Sequence, residues 1–259
     1  MKSIKFIIIL FCSLVLFSCG NKNNTTQNGS EINIDEVINS SSNDPNAKGE
    51  NKCLLDFQSK YDALISETDV LAATGFSKEV MKTKYNKIFD DLGSHEFLYL
   101  FDNKRKQFLK QLNRKIEMDD VVAVRNIKPM SLSTFNQTYR AITEAEINQA
   151  KDAMKDISEG NSGDANADKA MKKAEQLAVS KEEVNKVGSE IIDGFKSVTE
   201  AYEKVDGLGD AAVWNTQTQE LIVLQKGVQF EIRVNINDDN EVNKTTAIQL
   251  AKIVVEKCK

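Results

Sequence analysis

His95 is the one histidine of this 259-residue chain, and it sets the limit on acid–base chemistry. A catalytic triad needs an imidazole held between a nucleophile and an orienting acid. No nucleophile-elbow motif accompanies His95, so it reads as a structural or surface side chain. A zinc site is equally short of ligands, with one histidine and two distant cysteines, Cys53 and Cys258. Asp164, Asn166, Asp168 and Glu175 fall at positions one, three, five and twelve of a calcium loop. Lys169 occupies the position where glycine is needed, and the residues after it favour helix. The acidic pair therefore reads as a helix start that suits the macrodipole. Gly207-Leu208-Gly209 lacks a third glycine and is followed by a strand, whereas a phosphate cradle needs a helix N-terminus. It reads as a tight turn in which Asp210 bonds its own backbone. Trp214, the single tryptophan, reads as a core or sheet-packing residue. No catalytic residue, metal or cofactor is expected from these patterns.

One cysteine carries a different chemistry. Lys2 and Lys5 precede an almost unbroken apolar run over residues 6–17, and Ser18 then leads into Cys19. The run is a secretory signal, too short and too terminal for a mature transmembrane span. Leu16-Phe17-Ser18-Cys19-Gly20 resembles a bacterial lipobox. That resemblance implies cleavage before Cys19, diacylation of its thiol and acylation of the new amino terminus. The alternative is an ordinary cleaved signal that leaves a soluble protein. Stable anchoring needs more than one acyl chain, and a triacylated Cys19 meets that need. The resemblance thus implies a chain tied to a bacterial membrane in the cell envelope.

Cys12 leaves with the signal, and Cys53 and Cys258 remain. Secretion places them in an oxidising compartment, where thiols tend to pair. A bridge would close a loop of about 200 residues and bring the two ends of the domain together. Two unpaired buried thiols are the alternative.

Net charge is −5 and the charged fraction is 28%. No long basic run follows the signal, so nucleic acid, which needs a clustered positive face, is not an expected partner. Residues 1–18 are signal. Residues 19–49, rich in Asn, Ser, Thr and Gly and without an aromatic residue, read as a flexible tether. Residues 50–259 read as one folded domain. Apolar residues recur at helical spacing from Leu54 to Ile65, with a cap at Ser66-Glu67-Thr68-Asp69. Residues 77–91 read as a further helix through Val80, Met81, Tyr85, Ile88 and Phe89. Residues 96–101 and 120–127 read as strands. Residues 104–117 read either as a helix or as an extended hairpin arm.

A helical middle, about residues 131–196, is expected next, with a capping box at Thr143-Glu144-Ala145-Glu146. The final third returns to strands. Phe230, Ile232, Val234 and Ile236 alternate with Glu231, Arg233 and Asn235, the period-two pattern of a half-buried antiparallel strand. A helix over residues 245–258 closes the chain. The expected class is α+β, an antiparallel sheet packed with helices and carrying a helical middle segment.

The segment from Val205 to Trp214, built on Gly207-Leu208-Gly209-Asp210-Ala211-Ala212, looks like an element of secreted bacterial lipoprotein domains. Cys53-Leu54-Leu55, then Ser66-Glu67-Thr68-Asp69-Val70 and Gly75, is similar to their opening. Together they resemble the PsbP-like sandwich group, including the LpqN-type lipoproteins. The resemblance implies a non-enzymatic binding or envelope-assembly module, with a protein or a small apolar molecule as partner. The alternative function is an envelope-polymer hydrolase working through carboxylates.

Overall fold

The computed structural model describes residues 49–87, 90–109 and 113–259. These residues divide into two compact units, 141–200 and the remainder. The larger unit is built on a seven-stranded sheet in the order β1-β2-β5-β9-β8-β7-β6. Its strands are β1 (Met81–Asn86), β2 (Glu96–Phe101), β5 (Asp120–Pro129), β6 (Tyr202–Lys204), β7 (Ala211–Asn215), β8 (Glu220–Gln225) and β9 (Val228–Asn235). Every neighbouring pair is antiparallel. The β5–β9 pairing joins residues far apart in the chain, setting Val121 against Asn235 and Pro129 against Val228. A separate two-stranded hairpin, β3 (Lys106–Leu109) with β4 (Arg114–Glu117), lies between β2 and β5 in the chain.

The alternation in β9 decides what each sheet face meets. Val228, Phe230, Ile232, Val234 and Ile236 all enter the main core, beside Tyr99, Val122, Val124, Trp214, Leu221 and Val223. Helices from both ends of the chain cover that face. Helix α1 (Lys52–Asp56) supplies Leu54, α2 (Glu67–Thr74) supplies Val70, and the closing α7 (Asn240–Lys257) supplies Ala247, Leu250, Ala251 and Val254. Each large apolar side chain taken from water there contributes about 1.5–3 kcal/mol before the ordering entropy is charged. On the opposite face α3 (Leu132–Thr138) lays Phe135 on Val213, Ile222 and Leu224.

Cys53, just inside α1, and Cys258, the cap of α7, are at disulfide distance, with Cα atoms 5.4 Å apart. Nearby, Asn51 Nδ2 donates to the carbonyl of Cys258 at 3.0 Å. The two ends of the unit thus lie side by side.

The smaller unit holds α4 (Glu144–Glu159), α5 (Ala165–Gln176) and α6 (Lys181–Glu200). Met154, Met171, Ala174 and Val184 form its core. Thr143 and Glu146 cap α4 reciprocally, as the sequence indicates. Gly188 lets α6 approach Met154, since a Cβ there would meet the Met154 side chain at 2.5 Å.

One local expectation changes, and one open choice is decided. Residues 77–87 do not form the expected helix; Lys78–Val80 makes one 3₁₀ turn and β1 follows, while Ile88 and Phe89 lie outside the described residues. Met81 and Tyr85 are four apart, a spacing that serves a strand face as well as a helix face. Pairing with β2 settles the choice in favour of the strand. The described residues of 104–117 take the hairpin form, with Asn113 left-handed at φ 48°. Arg105 secures its root. Its Nε bonds Asp120, its Nη1 donates to Asp238 at 2.7 Å, and its Nη2 donates to Asn235 Oδ1 at 2.6 Å.

Candidate functional site

Two polar residues of β9 do not face water. Glu231 and Gln229 are 5% and 0% exposed, although their alternation with apolar residues suggests a solvated face. Glu231 stands opposite Arg125 of β5 in register. Arg125 Nε donates to Glu231 Oε2 at 3.0 Å, and its Nη2 pairs with Glu220 of β8 at 2.6 Å. One guanidinium thus bridges two carboxylates on neighbouring strands.

A bulge supplies a further donor. Arg125 opposes Glu231 and Lys128 opposes Gln229, so β5 spends one extra residue there. Asn126 takes up the irregularity at φ 54°. Its Nδ2 reaches Glu231 Oε2 at 2.7 Å. From the other side Gln229 Nε2 donates to Glu231 Oε1 at 3.0 Å. Gln229 Oε1 accepts in turn from the Tyr139 hydroxyl at 2.9 Å.

The electrostatics follow from burial. Desolvation raises Glu231 above the usual carboxylate range, and Glu220 adds to the rise; Arg125, Asn126 and Lys128 oppose it. Burial alone would lower Arg125, but Glu231 and Glu220 outweigh it and raise the guanidinium further. Lys128 is lowered, chiefly by desolvation. Tyr139 is pushed well above the ordinary phenol value by burial, so it stays a hydrogen-bond donor.

Tyr139 also belongs to an open groove. Its ring packs edge-on against Phe135 at 4.8 Å and Tyr202 at 5.6 Å. These rings, with Asn136, Lys204 and the β7 residues Ala211 to Val213, line a groove of about 230 Å³. Burial pushes the Tyr202 hydroxyl up to about 12. The groove is therefore walled by neutral aromatic side chains, with Lys204, paired to Asp206 at 2.7 Å, at its edge.

The residues singled out from the sequence lie elsewhere. Cys19 is outside the described residues. Gly207 and Gly209 both take positive φ, 74° and 62°, in the turn between β6 and β7. Asp210 Oδ2 accepts from the backbone of Lys226 at 2.5 Å, tying that turn to the β8–β9 turn rather than to its own backbone. Trp214 is fully buried in the main core, and its indole N–H has no acceptor among the described residues. His95 is buried, its ring edge-on to Tyr85 at 6.1 Å. Asp164 caps α5, accepting from the backbone of Asn166 at 2.7 Å. Among the described residues no group of three or more His, Cys, Asp or Glu is gathered as a metal would need. None of the described helices is long and apolar enough to cross a membrane.

The Glu231 cluster was not legible as a site. Glu231 of β9, Glu220 of β8 and the Arg125-Asn126 pair of β5 come from separate strands, and only the register joins them. The one local signal is the polar pair Arg125-Asn126, which interrupts the apolar run from Val121 to Val124 before Ile127 and sits where β5 carries its bulge. Comparison with family models, with curated proteins and with solved structures finds no match for this chain.

Proposed function

We propose that this chain is a lipid-anchored module of a bacterial cell envelope that binds a partner without transforming it. Cys19, in Leu16-Phe17-Ser18-Cys19-Gly20, is the anchor in this reading, and residues 20–49 are the tether. The Cys53–Cys258 pairing agrees with folding in an oxidising compartment. The turn at Gly207 to Asp210 and the closing helix α7 are consistent with the PsbP-like affiliation that the sequence suggests.

The observation that carries the binding reading is the internal neutralisation of the carboxylates. Glu231 and Glu220 share Arg125, and Glu231 is also held by Asn126 and Gln229. A general acid or base must meet the reacting atom with a lone pair or proton to spare, and this pair spends its capacity on its neighbours. What opens to the surface beside it is the aromatic groove of Phe135, Tyr139 and Tyr202, suited to a small apolar group.

Two measurements test the proposal. Metabolic labelling with an alkynyl fatty acid is expected to mark the full chain and to fail on Cys19→Ala; an unlabelled wild-type chain removes the anchor. An apolar fluorescent probe is expected to bind the groove, with binding reduced roughly tenfold by Tyr202→Ala through loss of one ring contact. Cleavage of envelope polymer that is abolished by Glu231→Gln or Glu220→Gln would replace the binding reading with the hydrolase.

A further inference from the structure

The seven-stranded sheet ends at β1, and the outer side of that strand is open among the described residues. The Asp102 N–H donates to the Val80 carbonyl at 3.0 Å, and Met81 stands opposite Phe101. Antiparallel pairing alternates the direction of successive residues, so Val80, Lys82, Lys84 and Asn86 turn their backbone groups to β2. Met81, Thr83 and Tyr85 turn theirs outward. The Met81 N–H is taken by the Lys78 carbonyl. The Met81 carbonyl, and the N–H and C=O of Thr83 and Tyr85, have no partner among the described residues. Such an edge is a template for one more strand.

The side chains of β1 restrict what can pair there. Lys82 and Lys84 stand opposite Leu100 and Leu98; both are exposed, and neither closes an ion pair among the described residues. Glu96 of β2 is engaged by Asn86 Nδ2 at 2.7 Å, and Asp102, just beyond β2, by Lys104 at 2.8 Å. On the other face Met81 and Tyr85 pack against the main core. The edge thus offers cations on one face and apolar surface on the other. A second copy of β1 set antiparallel against it would place lysine opposite lysine, which is destabilising.

We infer that residues 31–35 of the same chain pair with β1 as an eighth strand. Glu31-Ile32-Asn33-Ile34-Asp35 lies outside the described residues, and its pattern is the complement of the edge. On an added strand Glu31, Asn33 and Asp35 share one face, and Ile32 and Ile34 share the other. The acids then meet Lys82 and Lys84, while the isoleucines extend the apolar face of Met81 and Tyr85. A slip by one residue would reverse both contacts, so the register is specified. The chain is long enough. A Cβ at Gly49 would stand 3.3 Å from the side chain of Pro129, the last residue of β5. Three strand spacings, about 15 Å, separate β5 from the position beyond β1. The extended stretch from Asp35 to Gly49 reaches about 45 Å. On the lipid-anchored reading, on which this consequence alone rests, the pairing leaves residues 20–30 as the free spacer and holds the domain nearer the membrane.

The test is hydrogen–deuterium exchange on the full chain carrying Cys19→Ala, so that its outcome does not depend on acylation. Amides of residues 31–35 should exchange at least roughly tenfold more slowly than in a free peptide of that sequence, and those of Thr83 and Tyr85 should be protected with them. The slowing should not vary with protein concentration. Lys82→Glu/Lys84→Glu should return residues 31–35 to free exchange, and adding Glu31→Lys/Asp35→Lys should slow them again. Slow exchange over residues 228–235 in every variant shows that the sheet itself stays folded. Free exchange at residues 31–35 in the parent chain overturns the inference. So does slowing that persists after the lysine reversal, that the second reversal fails to restore, or that grows with concentration and therefore comes from another copy.

Discussion

Arg125→Met removes the guanidinium that bridges Glu231 and Glu220 while keeping most of the side chain's length. The Glu231 side chain is 7% exposed and that of Arg125 27%. The closest approach is 3.0 Å. At an effective dielectric of about 20, two unit charges at that separation attract by roughly 5 kcal/mol, an attraction that desolvation of both partners largely offsets in the intact protein. Removing one partner is not offset, because it leaves the other charge buried. The expected loss is about 3–5 kcal/mol near neutral pH, a large share of the total stability of a domain.

The pH dependence gives the sharper reading. Burial, with Glu220, already holds Glu231 above its ordinary value in the folded state. A carboxyl raised on folding favours the folded state below its unfolded value, and that contribution is lost as pH rises through the folded value. Without Arg125 the folded value rises further, so the loss extends to higher pH. Arg125→Met should therefore cost least in acid, where Glu231 is protonated, and most near neutrality. Adding Glu231→Gln should recover much of the loss, since an amide needs no counter-charge. Urea unfolding of Arg125→Met, Glu231→Gln, the double variant and wild type, in acid and near neutrality, measures all of this. A neutral-pH loss below about 1 kcal/mol, or no recovery in the double variant, would refute the reasoning.

Two further predictions concern the frame. Replacing Cys53 and Cys258 together by alanine opens a loop of sequence separation 205 and should cost about 5 kcal/mol on the chain-entropy account, read as a lower urea midpoint that reductant reproduces in wild type. Gly209→Ala and Gly207→Ala should differ although both sites have positive φ. A Cβ at Gly209 would drive into the carbonyl of Leu224, whereas at Gly207 nothing lies within 4 Å. The first should cost more than about 2 kcal/mol and the second about 1 kcal/mol, by thermal unfolding.

Period and punctuation in the sequence determined a good part of this molecule. The strands at 96–101 and 211–236, the helical middle, the capping boxes at Ser66 and Thr143 and the closing helix all rest on local patterns that neighbouring residues enforce. The Cys53–Cys258 pairing rested on counting the thiols left after the signal. Where a four-residue spacing serves both periods, as for Met81 and Tyr85, local pattern cannot choose, and pairing with β2 did.

The site belongs to the tertiary structure. Glu231 reads in the sequence as the polar side of a half-buried strand, and alternation alone cannot say whether that side meets water or another layer. The register of β5, β8 and β9 sets Arg125, Asn126 and Glu220 around it, and α3 brings Phe135 and Tyr139 onto the same face. Those partners lie up to 106 residues apart in the chain. Burial and charge are properties of that assembled neighbourhood, so no window of sequence carries them.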